Sequence, residues 1–382
     1  MFELIDEWGP EKVVCVSDAR TGMRGVLVID NTARGMGKGG TRMSTTVSVG
    51  EVARLARNMT WKWAGVDLFY GGAKAGIWAD PTASSKEAVL RAFVRALRNE
   101  VPEEYVFGLD VGLTEKDAAI MLDEVDGRGG AVGTPHALGG LPYDQLGVTG
   151  HGVAESADAA AQALGLSTGS LSVSIQGFGA VGAASAKRLA ELGATVVAVS
   201  TSQGGLHNPD GLDVATLLDL RDQYGDGLVD QYSDAKPLAA GEELSVTADV
   251  LIPAALQDVI DVDLARTLPA KIVVEGANLP SNPEAQSVLF DRGVTVVPDF
   301  IANAGGVVAA AVAMDARYSG IRPEPAAVFD NISNKLRAST IDTLDASKVQ
   351  GRTTHEVART TAQERVREAM VLRGRAPQTA TF

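Results

Sequence analysis

Three lysines stand where an ammonium group is hard to explain as surface decoration. Lys62 and Lys74 lie twelve positions apart in MTWKWAGVDLFYGGAKAGI, Met59 to Ile77, and Lys38 lies in RGMGKGGTR. In the run before Lys62, the apolar positions Val52, Leu55, Ala56, Met59 and Trp63 recur at helical spacing, which puts Lys62 on or beside the inward stripe. A buried ammonium is costly unless an anion meets it. Snorkelling to the surface, or pairing with Asp67, would account for Lys62 taken alone. Lys38 and Lys74 each have small neighbours that let another molecule approach closely. Together the three point to a cavity that holds an anion.

A second chemical signal is the glycine pattern in SLSVSIQGFGAVGAASAKRLAELGA, where Gly177, Gly179 and Gly182 have G-x-G-x-x-G spacing. The spacing alone is weak. Here it follows an apolar strand, opens an amphipathic helix and leads to a second strand, TVVAVS, the context of a dinucleotide site. Gly177 permits a tight turn, Gly179 lets backbone reach a pyrophosphate, and Gly182 allows close packing of helix on strand. The helix start offers unpaired N–H groups to phosphate. A glycine turn without a ligand is the plainer reading. The second strand ends AVSTSQGG, with Ser200, Thr201 and Ser202 where an NAD-preferring fold usually carries an acid. No acid there repels a 2′-phosphate and no arginine obviously attracts one, so NADP is permitted and mildly favoured, with NAD and NADP both open.

The elements that must position these groups suggest two domains, since 382 residues exceed what one core usually serves. Residues 1–145 mix short β-rich runs with helical patterns and glycine loops, whereas 146–315 alternates strand and helix signals as a doubly wound parallel sheet does, in a domain expected to run over 146–340. The expected fold class is thus α/β, with a Rossmann-type dinucleotide domain beside an α/β substrate domain. Helices rich in Ala, Glu and Arg follow, and 341–382 is expected to complete the first domain. The polar end GRAPQTATF is expected to be disordered.

Composition narrows the function classes. The chain is 45% apolar and 21% charged, with a net charge of −14 that argues against nucleic acid or an anionic membrane as the main partner. No signal pattern opens the chain, so a cytoplasmic location is expected. A single cysteine, Cys15, excludes an internal disulfide, and four scattered histidines make a metal site improbable.

At this point the motifs GKGGTRM, MTWKWAGVDLFYGGAKAGI, LDVGLTEKD, TGHGV, GFGAVG, NPDGLD, PAAL, VEGAN and IANAGGV, in that order, resemble the glutamate/leucine/phenylalanine/valine dehydrogenase family over about residues 10–315. The resemblance implies two domains with substrate and cofactor meeting in a cleft, and a homo-oligomer of unspecified size. It implies reversible conversion of an L-amino acid, NAD(P)+ and water into a 2-oxo acid, ammonium and NAD(P)H. Lys62 matches the lysine that binds the substrate α-carboxylate. Lys74 matches the lysine that polarises the reacting water or carbonyl, and Asp110 the aspartate that shuttles protons. Gly72, Gly108, Val307 and Ala310 fall at the substrate pocket, with Asn303 a polar anchor near substrate and nicotinamide. Thr149 and Asn278 match cofactor contacts. Phe178, Ala180 and Val181 of the glycine loop, Ser200 and Thr201, and Ala254 and Ala255 of PAAL complete the expected cofactor site.

The chemistry needs these residue types. Hydride leaves Cα as the amine loses a proton, water adds to the imine, and a carbinolamine collapses; a carboxylate can carry the protons. Neighbouring cations should keep Asp110 ionised, and Lys62 beside Lys74 should make Lys74 more easily neutral. Thr114 and Asp117 of TEKD suggest a helix start. A plainer role for Asp110 is to cap that helix.

Substrate choice divides on one residue. In the family's glutamate enzymes a lysine equivalent to Lys38 binds the side-chain carboxylate, helped by a serine whose position is Ala310 here. Branched-chain and aromatic enzymes have an apolar residue in place of the lysine. GGTRM leans towards the leucine branch, Phe69 stands where proline is frequent, and Gly108 should widen the pocket. An uncovered ammonium would disfavour leucine by several kcal/mol, against ~1 kcal/mol for the missing hydroxyl. Glutamate is therefore preferred. A leucine-like or larger apolar substrate follows if Lys38 folds back onto an internal carboxylate. A reading of another class is a silent nucleotide-binding subunit, which would have no need to keep Lys62, Lys74 and Asp110 together. The small-residue segment GGVVAAAVAMDARYSG reads as a hinge or as a tightly packed helix.

Overall fold

Strand alternation decides where the lysines point. A computed structural model of the chain describes residues 2–127, 129–143 and 145–376. The described chain divides into two compact units, one within 1–143, 309–325 and 360–382, the other within 144–308 and 326–359. The expectation for the polar tail falls in part on residues 377–382, which lie outside the described residues.

The first unit is built on β1 (Lys12–Asp18), β2 (Met23–Asn31), β3 (Gly37–Lys38), β4 (Thr41–Ser44), β5 (Gly71–Trp78) and β6 (Tyr105–Val106), with helices α1 (Val49–Gly65), α2 (Lys86–Ala96) and α3 (Glu115–Val125). The sheet runs β1-β2-β5-β3-β6, with β4 also paired to β5. Successive side chains of a strand face opposite sides. On β5, Ala73, Ala75 and Ile77 join Leu27, Phe93 and Phe107 in one apolar cluster. The other face carries Gly72, Lys74 and Gly76. A Cβ on Gly72 would lie 2.0 Å from Thr60 Oγ1, and one on Gly76 would lie 2.6 Å from Val52 Cγ2. The two glycines thus let α1 lie directly on β5, with Lys74 between them. Ser48 caps α1, accepting from the Glu51 N–H at 3.2 Å.

The second unit holds β7 (Ser172–Gln176), β8 (Thr195–Thr201), β9 (Gly204–His207), β10 (Lys236–Leu238), β11 (Val250–Pro253), β12 (Ile272–Val274) and β13 (Thr295–Val297), in the order β10-β9-β8-β7-β11-β12-β13. The strands β7, β8, β11, β12 and β13 are parallel, and β9 and β10 extend the edge antiparallel. Strand order reverses at β7, the switch point where ligands of such sheets bind. Helices α4 (Val148–Ala163) and α5 (Ala180–Glu191) pack together at Gly150, where a Cβ would lie 2.3 Å from the Val181 carbonyl.

The boundaries differ from those expected at two places. Residues 341–359 lie with the second unit, not the first, because the helix Pro325–Gln350 is fastened to α4: Arg337 donates to Glu155 and Asp158, and Leu336 packs on Gly152. Residues 309–325 lie with the first unit, tied there by the Tyr70 hydroxyl to Asp315 at 2.9 Å. The stretch Asp299–Ala316 is long and apolar enough to cross a membrane by length and composition, but 72% of it is buried in the fold.

Candidate functional site

Lys74 and Asp110 meet. Lys74 Nζ lies 3.0 Å from Asp110 Oδ2, and Arg42 Nε reaches the same oxygen at 3.0 Å. Arg42 also donates from Nη1 to Glu51 at 2.8 Å, so β4 and α1 hold the guanidinium in place. Burial raises the Asp110 pKa, but Lys74 and Arg42 outweigh it and the carboxyl titrates below its ordinary value. Asp110 does not cap the following helix. Thr114 and Asp117 form a capping box there, with the Thr114 N–H donating to Asp117 at 2.7 Å. Asp110 is left for the cations.

Lys62 lies in the last turn of α1 between the buried Trp61 and Trp63, itself half-buried. Asp67, its suggested structural partner, bonds Arg34 at 2.6 Å.

Lys38 is buried, with 2% of its surface exposed. Its Nζ donates to the Val106 carbonyl at 2.9 Å and the Gly39 carbonyl at 3.3 Å. It does not fold back onto a carboxylate; both acceptors are backbone. Gly108 serves this packing more than it widens a pocket, since a Cβ there would lie 2.5 Å from Lys38 Nζ. Burial, then the charges of Lys74 and Arg317, pull the Lys38 pKa down to about 7.

Arg317 belongs to this group although the sequence did not single it out. It lies seven residues beyond Ala310, just past the helix Gly305–Ala316, two turns on along one helical face. Its side chain leans back, as helix geometry directs, to donate from Nη1 to the Met314 carbonyl. Nη2 lies 3.9 Å from Met36 Sδ, two residues before Lys38. Nε is buried and has no hydrogen-bond partner among the described residues. Arg317 also lines a cavity of about 400 Å³ whose described lining contains no Asp or Glu.

In the second unit the three glycines behave differently from one another. Gly177 has φ +86°, the left-handed region, and a Cβ there would lie 2.6 Å from Ala255 Cβ. A Cβ on Gly182 would lie 1.9 Å from the Gly177 carbonyl oxygen, whereas one on Gly179 would meet nothing within 4 Å. Gly179 therefore faces open space at the start of α5, where Ala180 and Val181 begin the helix. That is a cradle with room for a pyrophosphate, and the residues fit a dinucleotide. Ser200 supports the loop from below. Its hydroxyl accepts from the Gly177 N–H at 3.0 Å, and its carbonyl accepts from the N–H of buried Phe178 at 2.6 Å. Ala254 continues β11, donating to the Gln176 carbonyl at 2.9 Å.

Asn303 is buried and donates from Nδ2 to Asn278 Oδ1 at 3.1 Å. The loop carrying Asn278 is anchored by Glu275, which accepts from the Asp299 N–H at 2.9 Å and lies 2.7 Å from His355 Nε2. Thr149 is in the first turn of α4, where a Cβ on Gly306 would approach its hydroxyl to 3.3 Å. Val307 and Ala310 are buried on the helix Gly305–Ala316.

The cradle makes a paired prediction. Gly182→Ala should destabilise the fold by roughly 1–3 kcal/mol through overpacking, read as a lowered urea midpoint. Gly179→Ala should leave that midpoint unchanged and weaken cofactor binding alone, by fluorescence titration with NADH.

The chain is similar to known proteins. Residues 139–374 match the profile described as glutamate/leucine/phenylalanine/valine dehydrogenase, and residues 10–127 match the Glu/Leu/Phe/Val dehydrogenase dimerisation domain. Glutamate dehydrogenase A2 of Halobacterium salinarum is 40% identical over 288 residues, covering 73% of this chain and 68% of its own length. The NADP-specific glutamate dehydrogenase of Saccharolobus shibatae is 36% identical over 387 residues, covering 96% of this chain and 90% of its own. Among solved structures, the hetero-hexameric glutamate dehydrogenase of Thermus thermophilus in its leucine-bound form superposes with a TM-score of 0.84 at 32% identity, over 98% of this chain and 93% of that one. The chain belongs to the glutamate/leucine/phenylalanine/valine dehydrogenase family and is an NAD(P)-dependent amino acid dehydrogenase.

Proposed function

We propose that the chain catalyses the reversible oxidative deamination of L-glutamate to 2-oxoglutarate and ammonium, and that it works as a homo-oligomer. The observation that carries the substrate choice is the pair Lys38 and Arg317. Lys38 has two backbone carbonyls for partners, and Arg317 has a buried Nε with none. Two cations that form no ion pair among the described residues suit a substrate that brings its own distal carboxylate. An apolar side chain would leave the Arg317 charge uncompensated and give Lys38, which titrates at about 7, no anion to hold its proton. Ala310 offers no hydroxyl to that carboxylate, and Arg317, two turns along the same face, supplies donors in its stead.

Within this reading Lys62 grips the α-carboxylate and Lys74 polarises the oxygen that adds to or leaves Cα. Asp110, held ionised, takes the proton released when the amine becomes an imine, and returns one as the carbinolamine collapses. The bound nicotinamide supplies the hydride acceptor. In this reading Asn278 contacts the cofactor, and Asn303, which donates to Asn278, is the polar anchor beside it. Family relatives named glutamate dehydrogenase support the reading.

Absorbance growth at 340 nm with glutamate, leucine, phenylalanine and tryptophan tests it. The expected result is a kcat/KM for glutamate at least about a hundredfold above the others. A preference for any of the apolar acids would end the glutamate assignment.

A further inference from the structure

A carboxylate reaches the end of β8 from a distant part of the chain. In a sheet of this order the residues ending the second strand meet the adenosine ribose of a dinucleotide. β8 ends at Thr201. Ser202, next in line, donates its hydroxyl to Asp226 Oδ2 at 2.5 Å, and Thr201 Oγ1 donates to the Asp226 carbonyl at 2.9 Å. Asp226 lies in the turn Gly225–Gly227 that follows the helix Val214–Tyr224, and it is exposed. The turn rests against the strand end: a Cβ on Gly227 would approach Gln203 Oε1 to 3.8 Å. Among the described residues Asp226 makes no ion pair, so its charge is not cancelled by a neighbouring cation.

We infer that Asp226 is the residue that selects NAD over NADP, its free Oδ1 accepting from the ribose 2′-hydroxyl while its charge repels a 2′-phosphate. Two features argue the same way. A phosphate at this position needs hydrogen-bond donors, but the hydroxyls of Thr201 and Ser202 are already turned towards Asp226. Thr201 Oγ1 is further occupied as acceptor for the Gln203 N–H at 3.2 Å. A 2′-hydroxyl needs an acceptor, and one oxygen of Asp226 is open to it. The strand end itself carries no acid, which on the sequence alone tilts the balance to NADP; folding brings in the acid from twenty-odd residues downstream. A relative named NADP-specific shows no conflict, because cofactor choice rests on a few side chains at this corner.

Binding of NADH and NADPH to the full chain, followed by calorimetry with no amino acid present, reads the inference apart from turnover and substrate choice. The wild type is expected to bind NADH at least roughly tenfold more tightly than NADPH. Asp226→Ser and Asp226→Asn should each weaken NADH and tighten NADPH, moving the ratio by about tenfold or more. Ser202→Ala, which removes a partner and keeps the charge, should leave NADH ahead. A purely structural role would weaken both cofactors in parallel. Parallel loss in the Asp226 variants, or wild-type NADPH binding equal to or tighter than NADH binding, overturns the inference.

Discussion

Asp110→Asn should lower kcat by roughly 10²- to 10⁴-fold and leave the Kd for reduced cofactor unchanged. Asparagine has the size of aspartate and can still accept from Arg42 Nε and Lys74 Nζ, each 3.0 Å away in the wild type. It cannot take up a proton. The two cations keep the aspartate ionised against its burial, so the base is already in its working form at neutral pH. Losing the anion also leaves Arg42 with Glu51 alone and Lys74 without its acid. Some stability should therefore go with the activity, and a melting curve separates the two losses. Near-normal turnover in a folded Asp110→Asn protein would take Asp110 out of the mechanism.

Arg317→Gln is expected to cost about 1.5–3 kcal/mol in transition-state binding of glutamate, or roughly ten- to a hundredfold in kcat/KM, with little change for an apolar substrate. Lys38→Met should cost more for glutamate and improve leucine, because it replaces a buried cation with an apolar chain of similar length. The pH dependence supplies a sign. In the free enzyme Lys38 titrates at about 7, lowered by burial and then by Lys74 and Arg317. A carboxylate binds the protonated form, so binding takes up a proton and KM for glutamate rises as pH climbs above 7, by up to about tenfold per unit. Removing the charge of Arg317 removes one of the three causes. The rise in KM for Arg317→Gln should then begin at higher pH, a shift that simple loss of packing would not produce.

Much of this site was legible because its chemistry is local in sequence. The glycine loop, the strand before it and the helix after it are contiguous; Gly177 takes a positive φ and Gly182 a close approach as their positions suggest, and Gly179 faces open space. Lys38 and Lys74 were marked out by glycines that turn out to make room for backbone and helix: a Cβ on Gly39 would lie 1.7 Å from the Ala73 carbonyl oxygen, and Gly72 admits α1. What sequence could not deliver were groups recruited across the fold. Arg42 was visible in GGTRM, but its contact with Asp110 spans 68 residues and depends on β4 pairing with the stretch that carries Asp110, where the Thr41 N–H donates to the Gly108 carbonyl and the Met43 N–H to the Val111 carbonyl. Arg317 sat unnoticed in a segment read as a small-residue helix, since only folding shows that its Nε has no partner. Asp226 is separated from Ser202 by a strand, a helix and a turn. The misplaced boundary at 341 has the same origin. No pattern in the helix Pro325–Gln350 reveals that Arg337 will bond Glu155 and Asp158.

The claim on which the account rests is that paired cations await a carboxylate at the far end of the substrate. Glutamine is the sharpest probe, being the neutral counterpart of glutamate with the same length and shape. At pH 7 the account predicts a kcat/KM for glutamate at least about a hundredfold above that for glutamine. Comparable values for the two, or faster turnover of glutamine, would show that no charge is read there and would contradict it.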